Sequence, residues 1–191
     1  MRSCYGWLLL VCGLLVVTLP ARAVITADLP LKTVLRSEFV FIVKIDKLDT
    51  NPESPRMVLK LDENLKGKAP FERLPVHLAA TSEEGKKDKH TDILVNRLAP
   101  DLALVFFVSK KPDKYVAFVY SNGTWFQLHG VENDQKNVVW SHLNCEPYLR
   151  RTFKGTTAEL KQAIVDALAG KKDPPPVDKN EKPGFGPEAK K

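Results

Sequence analysis

The sequence is poor in cysteine, and two of its three cysteines, Cys4 and Cys12, fall within the first 23 residues. Once that stretch is removed no internal disulfide can form. Cys145 then remains either as a buried, inert thiol or as one half of an intermolecular bond. Long apolar runs are equally scarce. The longest, Trp7 to Leu19, is 13 residues, short of the roughly 18–20 that cross a bilayer as a helix. The chain beyond it therefore reads as having no transmembrane segment. Catalytic signatures are missing as well: there is no glycine-serine-glycine nucleophile elbow, phosphate loop, dinucleotide fingerprint or histidine-glutamate metalloprotease helix. The paired acids Glu83-Glu84 lie in a charged loop that would neither fix their geometry nor exclude water. The expectation is a non-enzyme with no catalytic residue, metal or cofactor.

What the amino terminus does contain is a positive start at Arg2, the apolar run, a helix-breaking Pro20 and small residues at Ala21 and Ala23. That order predicts a signal peptide over 1–23, cleaved at Ala23–Val24, and hence an exported protein, periplasmic or extracellular. Removing Arg2 and Arg22 with the leader lowers the formal charge from +6 to +4. With no concentrated basic face, the balance argues against a nucleic-acid partner.

The remaining 24–170 is the length of one domain, and 171–191 is a tail. The tail holds five prolines and six lysines but almost no large apolar residue, so its composition predicts disorder. Within the domain, Asp28-Leu29-Pro30 opens a short helix. Phe39–Asp46, Arg56–Leu65 and Leu74–Leu78 read as strands. Thr81–His90 is a solvated polar loop, and Ile93–Leu98 a short helix suited to closing one end of a barrel. Leu102–Val108 is apolar on both faces, as a central strand is. Tyr115–Tyr120 and Thr124–Leu128 flank Asn122-Gly123, a hairpin signal because both residues tolerate positive φ. Asn122-Gly123-Thr124 also matches a glycosylation acceptor, but the turn accounts for it. Val138–Trp140 adds a last strand. Thr156 and Glu159 form a capping box for an amphipathic helix over 157–169, with Leu160, Ile164, Ala167 and Leu168 along one stripe and Gly170 at its end.

About five or six short strands, with a helix inserted after the third, is the order of a Greek-key barrel. From the strand-two residues Leu59-Lys60-Leu61-Asp62-Glu63-Asn64-Leu65-Lys66-Gly67-Lys68-Ala69-Pro70, preceded by Phe39–Asp46, the first half resembles the oligonucleotide/oligosaccharide-binding (OB) barrel of the netrin and metalloproteinase-inhibitor type. The inhibitors of that family chelate their target's zinc through an amino-terminal cysteine. The expected terminus here is Val24-Ile25, so the inhibitory activity does not carry over. Asn122-Gly123-Thr124-Trp125-Phe126 and the run Cys145–Thr156 resemble short exported bacterial proteins to which no activity is assigned. The fold expectation is thus mainly β with α: an OB-like barrel, an inserted helix, a C-terminal amphipathic helix and a disordered tail.

Among the four histidines, His77 and His90 read as solvated, and His129 carries no motif. His142 and Cys145 stand at half of a zinc-ligand spacing with no second pair to complete it. The constellation best suited to binding is Arg150, Arg151 and Lys154, beside Tyr148 and near Trp125 and Phe126. Guanidinium forks grip carboxylates or phosphates and rings stack on flat faces; the structural alternative has the arginines pairing with surface acids. The expected function is an exported, non-catalytic binding or protein-interaction module for an envelope protein or an anionic polymer. The competing readings are an accessory envelope protein assembling through its tail or Cys145, and a hydrolase whose residues are scattered.

Overall fold

Seven strands close into one barrel in the computed structural model, which describes residues 25–135 and 137–189. The expected signal peptide and the Ala23–Val24 junction lie outside the described residues. The strands are β1 (Phe39–Asp49), β2 (Arg56–Lys66), β3 (Arg73–His77), β4 (Ala103–Lys110), β5 (Tyr115–Ser121), β6 (Thr124–Glu132) and β7 (Val138–Cys145). They neighbour one another in the order β1-β2-β3-β7-β6-β5-β4 and close through β1–β4. Every pairing is antiparallel except β3–β7, where Val76 stands opposite Trp140.

Two apolar cores result from the period-two alternation of strand side chains. Phe41, Val43 and Ile45 of β1 join Leu59, Leu74, Phe106, Val119, Leu128 and Trp140, one set from all seven strands, which fills the barrel. The intervening Val40 and Ile42 face outward with Val105, Phe107, Tyr120 and Trp125. This outer face is covered by α1 (Leu31–Val34), through Leu31 and Val34, and by α4 (Thr157–Leu168), through Leu160 and Ile164. The segment that looked apolar on both faces, now β4, therefore serves both cores, and β1 does so as well. Helix α4 begins with the full Thr156–Glu159 capping box. Its stripe ends at Ile164, because Leu168 is 42% exposed.

Between β3 and β4 the chain forms α2 (Glu83–Lys87) and α3 (His90–Val95). Leu94 and Leu98 lower their side chains into the barrel core and close that end. The polar segment expected to be a solvated loop is thus partly helical: Ser82 caps α2 by accepting from the Gly85 N–H at 2.9 Å. The β5–β6 hairpin turns through Asn122 and Gly123, at φ 41° and 85°, and the Asn122 side chain accepts from the Thr157 N–H at 2.9 Å.

Two expectations need correction. The barrel takes in all seven of the β-prone segments as strands, where a barrel of about five or six was expected, and β7 runs on to Cys145. The tail is not free: its described part lies along the domain surface and bonds to it at several points. Its composition misleads because ion pairs and backbone hydrogen bonds, more than apolar burial, hold it. No helix of the described residues is long and apolar enough to cross a membrane.

Candidate functional site

After β7 the chain enters a single 3-10 helix, Pro147–Arg151, with proline in its first turn. Leu149 is buried and anchors it in the outer core, so Tyr148, Arg150 and Arg151 stay at the surface. Lys154 follows three residues after Arg151, and the structure brings all four residues to one face. The Arg151 guanidinium lies 5.7 Å from the Tyr148 ring centroid, a cation–π distance.

Trp125 and Phe126 do not belong to this face. Both are fully buried, and as neighbours on β6 they point to opposite sides of the sheet. Trp125 enters the outer core and donates its indole N–H to the Phe153 carbonyl at 2.9 Å. Phe126 enters the barrel, edge-on to His142. Neither ring offers a stacking surface.

The basic face grips the tail. Arg150 Nε donates to Glu181 Oε1 at 3.1 Å and its Nη1 to the Phe185 carbonyl at 3.1 Å. Arg151 Nε donates to the Glu181 carbonyl at 3.0 Å, and its Nη1 lies 3.5 Å from Asp28. Lys154 Nζ bridges Asp178 at 3.0 Å and Glu181 at 2.7 Å. Lys154 holds both carboxyls below their ordinary range, Arg150 adding to the effect at Glu181, and these acids in turn raise the Lys154 ammonium. Arg150 and Glu181 keep only 20% and 18% of their side-chain surface, which sets this pair apart from the chain's more exposed ion pairs.

Further along, the tail's backbone is read directly. The Asp178 N–H donates to the Arg151 carbonyl at 2.8 Å, and the Gly184 N–H to the Pro147 carbonyl at 3.0 Å. The Gly186 N–H donates to Thr124 Oγ1 at 3.0 Å, while Arg97 Nε donates to the Gly186 carbonyl at 3.0 Å. Phe185 packs against the barrel core, with the Arg97 guanidinium 5.4 Å above its ring and His90 at 6.3 Å. Arg97, Asp178, Glu181, Phe185 and Gly186 were missed in the sequence. The available signal was the spacing of Asp178 and Glu181 and the lone aromatic between Gly184 and Gly186.

Beneath this face lies a buried polar group. His142 donates from Nδ1 to the Leu78 carbonyl at 3.0 Å, the only role a ring nitrogen can take toward a carbonyl oxygen. Its Nε2 is then left as the acceptor, 3.8 Å from Cys145 Sγ. His90, expected to be solvated, is 4% exposed and accepts the Cys145 N–H at 3.1 Å. The reversal comes from Lys89, whose φ of 55° turns the chain inward as α3 begins. His77 is exposed as the alternation of β3 requires, and His129 is half-buried.

Burial lowers His142 to about 4 and pushes the Cys145 thiol up, so both are neutral near pH 7. The pair is not poised as thiolate and imidazolium. Among the described residues, no three His, Cys, Asp or Glu side chains are grouped to hold a metal ion. Beside the pair, the fully buried Glu146 accepts from the Asn144 side chain and from the Ile25 N–H, each at 2.7 Å.

No protein-family model matches the chain, and no curated protein matches it.

Proposed function

We propose that this is an exported, non-catalytic interaction module on an OB-like barrel, and that Tyr148, Arg150, Arg151 and Lys154 form its binding face. The observation that carries the reading is the convergence of these three cations on one acidic turn of the tail, Asp178–Glu181, closed by the Glu181 N–H donating to the Asp178 carbonyl at 3.1 Å. Guanidinium forks with both carboxylate and carbonyl partners suit recognition of a protein segment better than of a bare anion. The parallel β3–β7 contact and the insertion of α2–α3 between β3 and β4 support the OB-like assignment. The alternative, an accessory envelope protein assembling through its tail or Cys145, keeps only its tail: the thiol is buried, and a disulfide to another chain requires opening the fold.

A photoreactive aromatic at position 148 of the exported chain, irradiated in its native envelope, tests this. A discrete cross-linked partner that disappears when Arg150 and Arg151 are both changed to Glu is the expected result. A cross-link indifferent to that change in a folded chain, or none at all, would overturn it.

A further inference from the structure

Resting on that reading, we infer that the ligand of this face is a peptide segment of the pattern acid-x-x-acid-x-x-x-aromatic-Gly from a partner protein, its two acids carried on one turn as in the tail. The chain's own tail fills the groove in its place. The pattern is read from the contacts of the seated segment. Lys154 bridges the first acid, Asp178, to the second, Glu181, and Arg150 adds a second cation at Glu181. The aromatic, Phe185, is half-buried against the barrel core below Arg97.

The glycines differ in what the groove demands of them. A β-carbon on Gly186 would stand 1.8 Å from the Asn122 carbonyl oxygen and 2.8 Å from its carbon, a collision with turn backbone. One on Gly184 would meet nothing closer than the Arg150 Cδ at 3.5 Å, an ordinary contact. The groove therefore tolerates a side chain at the first glycine and excludes one at the second. Because backbone N–H and carbonyl groups of the tail are also bonded at Asp178, Glu181, Gly184, Phe185 and Gly186, the face measures chain path as well as charge. Such mixed recognition defines a segment, with main-chain bonds supplying affinity and pockets supplying specificity. A tethered segment competes at an effective concentration near the millimolar range, so a partner gains access when its own segment binds more tightly or the tail is pulled away.

The test uses the full chain carrying Gly186→Val, which expels the tail and leaves the groove residues intact, titrated with a synthetic peptide of residues 173–189. The expected result is saturable binding at least about tenfold tighter than to the unaltered chain. The peptide with Gly184→Ala should retain that affinity, while Gly186→Ala or Phe185→Ala should abolish it. Glu181→Lys, which frees the tail from its own side, repeats the comparison should Gly186→Val fail to fold by circular dichroism. Absence of saturable binding, equal binding of the Gly186→Ala peptide, or equal competition by polyphosphate would overturn the inference. So would a stable dimer of the unaltered chain formed by exchanged tails, since the occupant would then be a second copy. A Tyr148 cross-link that depends on Arg150 and Arg151 but not on this peptide would leave the binding face standing and refute only the pattern.

Discussion

The Ile25 N–H donates to the Glu146 carboxylate at 2.7 Å across 121 residues of sequence. Glu146 is fully buried, and no cation of the described residues pairs with it. Burial pushes it up to about 7, the Ile25 and Asn144 donors pull it part of the way back, and Glu84 adds a small upward push. The segment beside the expected mature terminus is thus held by an acid that resists ionising.

The sign of the pH dependence follows from that elevation. The folded state binds the Glu146 proton more tightly than the unfolded chain does, so this group's contribution is greatest below about pH 4.5 and falls as pH rises to about 7. Glu146→Gln, which has no proton to lose in this range, should remove the decline. Urea unfolding of both forms from pH 4 to 8 checks this; identical pH profiles would contradict it.

His142 works in the opposite direction. Its folded value is lowered to about 4 from 6.5, so its contribution is lost as pH falls from 6.5 toward 4. In the Glu146→Gln background, melting temperature should therefore rise across that window, and His142→Asn should flatten the rise. Scanning calorimetry of the two variants separates the effects.

In helix α4, burial discriminates between neighbouring leucines. Leu160→Asp or Ile164→Asp places an unpaired charge against the outer core and should cost several kcal/mol. Leu168→Asp, at a position 42% exposed, should leave stability within about 0.5 kcal/mol. Denaturant midpoints of the three variants give the comparison.

Truncation after Gly170 removes Phe185 from the barrel end and the partners of Arg97, Arg150 and Lys154. It should lower the melting temperature by roughly 3–8 °C, where a free tail would leave it unchanged. Because Lys154 depresses both Asp178 and Glu181, their share is present above the ordinary carboxylate range and lost as pH falls through it, below about pH 4. Fluorescence of a probe at the tail end, followed between pH 3 and 7, should report release on the acid side.

The elements legible in the sequence are those with a local physical cause. Asn122-Gly123 forced a hairpin through positive φ, Thr156–Glu159 capped α4 reciprocally, and Leu102–Val108 was apolar on both faces because two cores share β4. The end of β7 was hidden because buried His142 and Asn144 stand where alternation leads one to seek apolar residues. Arg150, Arg151, Lys154 and Tyr148 do share a face, whereas Trp125 and Phe126 were separated by the strand's own alternation. The tail was misread because its docking depends on residues distant in sequence: Asp178 is inert until Lys154 faces it, and Gly186 looks like a flexible spacer until Asn122 is placed against it.

Amide hydrogen exchange at Asp178, Gly184 and Gly186 tests most directly whether the basic face holds the tail segment that carries the acidic turn. Protection of all three in the unaltered chain, lost when Arg150 and Arg151 are both changed to Glu while the β5–β6 amides stay protected, is the predicted result. Exchange of these three amides at free-peptide rates in the unaltered chain would contradict the account.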